Sequence, residues 1–146
     1  MLTTTDRENA LLVELVTNAS RFAKLAAATS GDGKPRALVR ALSLIDEYGE
    51  LRITEFARLD GCSQPAATTL AKKLHRLGLI ERETDPGDSR AVLLRLSDEG
   101  RRWLTDARAA IGRALAPRLA GVDPDRIADL VEGLAGLRQL LKVSDL

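Results

Sequence analysis

Hydrophobic residues recur at helical spacing near both ends of the chain. In the segment 8–29, apolar or small side chains follow at intervals of three or four residues, at Leu11, Leu15, Ala19, Phe22 and Ala26. After Asp123 and Pro124, a wider apolar stripe follows the same period, at Ile127, Leu130, Val131, Leu134, Leu137 and Leu141. We predict an amphipathic helix in each place. Both helices need an apolar surface to cover.

Shorter elements lie between these two helices. The run 30–35, Ser-Gly-Asp-Gly-Lys-Pro, breaks the first helix, and the helical pattern over 36–48 is closed by Gly49. Residues 50–53 favour a short edge strand and are followed by a short helical pattern. Another long helix is predicted to begin at Ser97 and to end at Pro117 or Gly121.

A helix predicted after Gly61 carries the most informative surface. Ser63 is placed to cap its N-terminus, Pro65 is tolerated in its first turn, and Gly78 marks its end. One narrow side is apolar: Ala67, Leu70, Leu74 and Leu77. The opposite side is small, polar and basic: Gln64, Pro65, Thr68, Thr69, Lys72, His75 and Arg76.

No acidic residue occurs between Gly61 and Ile80, although the chain has 21 acidic residues against 22 Lys and Arg. Surface helices normally mix both signs of charge. The acid-free face therefore favours contact with phosphates and base edges, and the alternative is an ordinary solvated face.

Alternating residues then predict a β-hairpin. Residues 79–84 and 91–96 form the strands, and the turn formers of 85–90 join them. At the tip, Arg90 has the chemistry to enter a minor groove, and the Asp88 carboxylate is placed to hold its side chain beforehand. The alternative is a surface ion pair of little energetic value.

Helix, turn, helix and charged hairpin in this order are typical of a winged helix-turn-helix. Five motifs make the pattern more specific: residues 53–57 (ITEFA), 61–70 (GCSQPAATTL), 74–82 (LHRLGLIER), 85–90 (DPGDSR) and 96–100 (LSDEG). With these motifs the chain resembles the multiple antibiotic resistance regulator (MarR) family. The resemblance is close over residues 36–104 and extends to the whole chain through length and flanking helices.

The resemblance implies a homodimeric transcription factor, usually a repressor, that binds a palindromic operator in double-stranded DNA. It implies that Ser63 to Thr69 enter the major groove and that Arg90, with Asp88 as its partner, enters the minor groove. It also implies release by a small apolar or phenolic ligand, bound between the dimer helices and the DNA-binding region. One departure is Gly87, where the family often has a first wing arginine.

We therefore predict a mainly α fold of about six helices with a β-hairpin wing, forming a homodimer. Residues 1–35 and 103–146 supply the dimerisation helices, and residues 36–102 form the winged helix-turn-helix. The predicted DNA-binding residues are Thr54, Ser63, Gln64, Pro65, Thr68, Thr69, Lys72, Arg76, Asp88 and Arg90. The predicted dimer interface contains Leu11, Leu15, Ile127, Leu130, Leu134, Leu137 and Leu141.

Charge and composition bear on the other functions that the chain could have. The formal net charge is only +1, so local placement must supply any attraction to DNA. The single histidine, His75, lies on the basic face, and no His or Cys group has ligand spacing, so we expect no enzyme, metal or cofactor. No long apolar run or leader pattern occurs, and we expect a cytoplasmic protein.

Three alternatives stay open. The first is a winged-helix module that binds proteins and not DNA. The second is a redox-sensing regulator, because Cys62 precedes a helix N-terminus, where a thiol pKa is lowered; the simpler interpretation is that Cys62 packs the turn. A small helical enzyme is the third, and the position of the single histidine argues against it.

Overall fold

Nine elements make up the computed structural model, which describes residue 1 and residues 3–144. In chain order they are α1 (Thr4–Ser30), α2 (Arg36–Tyr48), β1 (Glu50–Arg52), α3 (Ile53–Asp60), α4 (Gln64–Arg76), β2 (Ile80–Asp85), β3 (Asp88–Leu96), α5 (Asp98–Leu115) and α6 (Pro124–Ser144). The predicted six helices and the hairpin are all present.

The first helix, α1, is longer than predicted at its N-terminus. Thr3 and Asp6 form a capping box, in which the Asp6 N–H donates to the Thr3 hydroxyl and the Thr3 N–H donates to the Asp6 carboxylate. The helix ends at Ser30, and its C-cap, Gly31, has a φ of 59°, in the left-handed region that favours glycine. Capping, which hydrophobic spacing does not reveal, therefore sets the first residue.

A central lobe, made of α2 to β3, holds the main hydrophobic core. The inward side of α2 packs against α3, the sheet and α5. The largest fully buried side chains of the lobe are Leu42, Ile45, Phe56, Leu74 and Leu94. The short helices of the lobe are held by this shared core, because isolated helices of such length are marginal in water.

The turn between α3 and α4 follows the predicted signals. Gly61 adopts φ 73°, and the Ser63 hydroxyl accepts a hydrogen bond from the Ala66 N–H at 3.2 Å, so Ser63 is the N-cap. On the buried side of α4, Ala71 joins the predicted stripe. Leu77, expected on that stripe, is instead 50% exposed, because α4 ends at Arg76 and the chain turns away.

The sheet is antiparallel with strand order β1-β3-β2. Arg52 lies opposite Leu93, which lies opposite Glu83 on the other edge strand. The turn is tighter than the predicted 85–90, because Asp85 and Asp88 still belong to the strands and only Pro86 and Gly87 lie between them.

Close backbone contact joins the end of α4 to the start of α5. Ser97 caps α5, its hydroxyl donates to the Gly78 carbonyl at 2.6 Å, and its N–H donates to the Leu79 carbonyl at 3.1 Å. Gly100 lies directly over Leu79: a Cβ there would be 1.9 Å from the Leu79 carbonyl oxygen. Only glycine permits this approach. The helix ends at Leu115, before the predicted Pro117 or Gly121.

The outer helices keep most of their apolar surface exposed within one chain. α1 lies along α5, whereas the C-terminal part of α6 reaches α2 through ion pairs of Arg138 and Lys142 with Glu47 at 3.0 and 3.2 Å. All seven leucines and isoleucines predicted for the dimer interface are exposed, up to 70% at Leu141. Within the described residues, no helix is long and apolar enough to cross a membrane.

We predict that Gly100→Ala lowers the free energy of unfolding by about 3 kcal/mol, the upper range for overpacking, because the new methyl group overlaps the Leu79 carbonyl. Urea unfolding followed by circular dichroism measures the change. Gly112→Ala is the control on the same helix, since a Cβ there meets nothing within 4 Å. An unfolding midpoint of Gly100→Ala equal to that of the native chain would contradict the packing described.

Candidate nucleic-acid interface

The outward face of α4 presents most of the side chains predicted for it. Gln64, Pro65, Thr69, Lys72 and Arg76 are exposed, as are Ser63 at the cap and the neighbouring Lys73 and His75, while Thr68 is half-buried. In the part of the chain that the structure describes, none of the basic side chains of α4 forms an ion pair with a carboxylate. Their charges are therefore available to an anionic partner.

A shallow cleft joins α4 to the hairpin. About 110 Å³ in volume, it is lined by residues from three parts of the lobe: Arg52, Ile53, Thr54, Gln64, Thr68, Arg90, Ala91 and Val92. Four of the predicted DNA-binding residues, Thr54, Gln64, Thr68 and Arg90, thus lie around one depression. Residues far apart in sequence converge there because the sheet folds the hairpin back beside α4.

The predicted ion pair between Asp88 and Arg90 is not formed. The Asp88 carboxylate accepts a hydrogen bond from the backbone N–H of Arg90 at 3.0 Å, so it closes the start of β3 and does not hold the guanidinium. A carboxylate two residues before an amide readily makes this local contact. Arg90 itself is exposed, as a groove-inserting residue must be.

A different ion pair fixes the tip of the hairpin. Arg52 Nη2 lies 2.6 Å from Asp85 Oδ2. The pKa of Asp85 is lowered chiefly because the Gly87 N–H donates to its carboxylate at 2.8 Å, and additionally because Arg52 lies beside it. Arg52 is not among the residues that the sequence predicts for this site. The one available signal was an arginine at the N-cap of α3, where Ser, Thr, Asp or Asn is usual.

Gly87 needs no special backbone conformation. Its φ is not positive, and an added Cβ would meet only the Asp85 carboxylate, at 3.5 Å. Glycine in place of the arginine that the resemblance predicts therefore removes a positive charge and a long side chain from the hairpin tip.

Cys62 lies behind the N-terminus of α4, half-buried against the core. Its thiol pKa is raised, first by burial and then by the neighbouring Asp60 carboxylate. A raised pKa disfavours the reactive thiolate, which is opposite to the lowering that the redox hypothesis needs. Among the described residues, no group of three or more His, Cys, Asp or Glu is arranged to hold a metal ion.

The core, the capped α4, the cleft and the antiparallel hairpin define a winged helix-turn-helix. Residues 35–92 match the model of the MarR family. A curated relative, the uncharacterized HTH-type transcriptional regulator YdgJ of Bacillus subtilis (strain 168), is 26% identical over 106 residues, which cover 73% of this chain and 65% of the relative. The chain thus spans just under two thirds of that relative's length. These matches support the resemblance to the MarR family that the motifs carry, and the family model covers most of the winged helix-turn-helix part of the chain.

Solved structures support the same fold. A MarR family protein from Bacillus stearothermophilus aligns with a TM-score of 0.70 and 22% identity, covering 96% of this chain and 99% of that one. A mutant of MarR from E. coli, crystallised in complex with operator DNA, aligns with a TM-score of 0.59 and 19% identity, covering 93% and 99%. The predicted winged-helix fold is confirmed over nearly the whole chain.

We predict that Cys62 reacts slowly with iodoacetamide near neutral pH, because its raised pKa leaves little thiolate. Mass spectrometry of the native protein against a free thiol measures the rate, which should rise as the pH is made alkaline. Asp60→Asn removes the neighbouring carboxylate and should react faster. Rapid alkylation of the native protein at neutral pH would contradict the thiol environment described.

Proposed function

We propose that this chain is a DNA-binding transcriptional regulator, acting as a repressor, that binds a pseudo-palindromic operator as a homodimer. The acid-free, unpaired face of α4 beside the hairpin cleft carries the proposal. A solvated surface helix in a chain with nearly balanced charges would show both signs. The structural relative crystallised with operator DNA has the same architecture, which supports the same use of α4.

The exposed side chains divide by chemistry into base-contacting and phosphate-contacting groups. Gln64, Thr68 and Thr69 offer donors, acceptors and methyl groups to base edges in the major groove, with Pro65 packing beside them. Lys72 and Arg76 neutralise phosphates, and Thr54 and Ser63 add hydroxyl contacts. Arg90 enters the adjacent minor groove, where its guanidinium favours a narrow A·T segment. Because such a regulator must reach genomic DNA, we propose that it is cytoplasmic.

A dimer follows from the two-fold symmetry of operators. One helix-turn-helix covers half a site, and a symmetric pair covers two half-sites about one helical turn apart. The exposed stripe of α6 and the exposed leucines of α1 supply the apolar surface that such a pair buries. We place dimerisation in residues 1–35 and 103–146 and DNA binding in residues 36–102.

A cavity of about 350 Å³ lies where α1 and α2 meet α5. Its lining combines apolar side chains, including Ala27, Val39 and Ile111, with four cationic residues, Lys24, Lys34, Arg36 and Arg40, and one acid, Asp32. No aromatic side chain lines it among the described residues. We propose that it binds a small organic anion with an aliphatic body, and that the bound ligand weakens operator binding.

DNA binding is tested on the purified protein. The purified protein should select genomic fragments that contain a pseudo-palindrome. Its affinity should fall about 100-fold between about 50 and 200 mM salt if Lys72 and Arg76 of both protomers release counterions. Fluorescence anisotropy at several salt concentrations measures this. Failure to bind any genomic fragment leaves the protein-interaction alternative.

Two substitutions then test the assignment of residues. Arg90→Ala should weaken operator binding, and Gln64→Ala should cost about 1–3 kcal/mol at particular base pairs. Matched controls are Arg118→Ala and Gln139→Ala, which remove exposed side chains of the same types outside the winged helix-turn-helix. If both test variants bind as tightly as their controls, the proposed DNA contacts are wrong.

Dimer assembly is tested by a charge within the stripe. Leu134→Asp puts an unpaired carboxylate into the proposed interface and should lower dimer stability and operator affinity together. Gln139→Asp, on the opposite side of α6, is the control and should sediment as the native dimer. A native protein that is monomeric at micromolar concentration and still binds the full operator tightly would contradict the proposal.

Ligand response is tested with octanoate and salicylate against the free and operator-bound dimer. A tenfold loss of operator affinity requires tenfold weaker ligand binding to the DNA complex, a coupling of about 1.4 kcal/mol. Lys24→Gln should weaken binding of the carboxylate, whereas Arg21→Gln on the same helix, outside the cavity lining, should not. Equal affinity for both forms of the protein would exclude that compound as an inducer.

A further inference from the structure

The Arg52–Asp85 ion pair differs from the other surface pairs of the central lobe in its position. It joins β1 and β2, the two edge strands of the sheet, across the central strand β3. Register explains how, since Arg52, Leu93 and Glu83 lie opposite one another, and Asp85 comes two residues after Glu83 on the same strand. The pair therefore links the end of β1 to the tip of the hairpin.

The surroundings of Asp85 indicate a tightly held carboxylate. Only 13% of its side chain is exposed, and it accepts a hydrogen bond from the Gly87 N–H at 2.8 Å besides the ion pair at 2.6 Å. A strand irregularity between Thr84 and Asp85 turns the end of β2. These contacts define the path of the turn that leads into Asp88 and Arg90.

Arg52 occupies a position where an arginine is unfavourable for local structure. It is the N-cap of α3 but makes no side-chain capping hydrogen bond. A cation at a helix N-terminus also opposes the helix dipole. Local helix stability therefore does not account for the arginine, whereas its contact with Asp85 does.

The ion pair lies beside the cleft that contains Arg90, the predicted minor-groove residue. Arg52 lines the same depression as Gln64 and Thr68 of α4 and Arg90 of the hairpin. Because Gly87 supplies no charged side chain, Arg90 is the first exposed cation that follows the turn along the chain. Its alignment with a minor groove thus depends on how the hairpin is angled against α4.

We propose that Arg52 is a positioning residue that, through Asp85, sets the hairpin angle and so directs Arg90 into the minor groove. The inference rests on the proposed DNA-binding function. Arg52 should then affect the sequence preference at the flanks of the operator, where Arg90 contacts the minor groove. It should not affect the sequence preference at the major-groove base pairs that α4 contacts.

The experiment measures operator affinity of the full-length protein on duplexes whose flanking base pairs are A·T or G·C. Arg52→Ala and Asp85→Asn should each lower affinity for the A·T duplex by about 5- to 150-fold, the range for one lost groove contact, and remove the A·T preference. Electrostatics alone predicts the opposite for Asp85→Asn, because that change removes a negative charge near DNA. A loss of affinity in Asp85→Asn therefore supports the positioning role, whereas a gain of affinity supports a purely electrostatic effect.

Three further variants complete the test. Arg52→Lys keeps the cation and should restore part of the flank preference. Arg52→Ala combined with Arg90→Ala should bind no more weakly than Arg90→Ala alone, because Arg52 acts through Arg90. Arg95→Ala is the matched control: it removes one positive charge and the pairs with Glu81 and Glu83 from the same sheet, and it should keep the flank preference.

The proposal is overturned if Asp85→Asn binds as tightly as the native protein or more tightly, or if the losses of Arg52→Ala and Arg90→Ala multiply. Circular dichroism melting accompanies each variant, and should Arg52→Ala unfold, the Asp85→Asn and Arg52→Lys results decide. If the native protein binds no DNA, the proposed function itself is wrong. If the native protein binds DNA and Asp85→Asn binds equally well, only the positioning role of Arg52 is wrong.

Discussion

The contact between the end of α4 and the start of α5 is the constraint on which the rest of the arrangement depends. Ser97 binds the Gly78 and Leu79 carbonyls, and Gly100 allows α5 to approach Leu79 at a distance no side chain permits. The end of α4, the first strand of the hairpin and the long helix α5 therefore meet at one rigid point.

Electrostatics is organised locally in this nearly neutral chain. Asp46, Glu47 and Asp60 pair with arginines or lysine around α2, away from the outward face of α4. On α4, Lys72 and Arg76 have no carboxylate partner among the described residues. Although the net charge is only +1, paired charges around α2 are thus separate from the unpaired basic side chains on the outward face of α4. Because exposed charges are screened within about 8–10 Å at physiological salt, this local separation matters more than the total.

How much the sequence predicts depends on how local each interaction is. The capped α4 with Ser63 as N-cap and the alternating hairpin follow from neighbouring residues, and the structure confirms them. The prediction of an ion pair between Asp88 and Arg90 is wrong, because the backbone N–H of Arg90 occupies the Asp88 carboxylate instead. The Arg52–Asp85 pair joins residues far apart in the chain, and no periodicity or spacing indicates it. The partner surface of α6 stays a prediction, since a single chain leaves it exposed.

Hydroxyl-radical footprinting of the full-length protein on a fragment it selects from genomic DNA tests the central claim most directly. Two copies of α4, fixed to dimer helices through α5, should protect two blocks related by two-fold symmetry, with centres about one helical turn, or about 34 Å, apart. Each block should include the minor groove beside the hairpin. A single protected block, or blocks without symmetric sequence and spacing, would contradict the account.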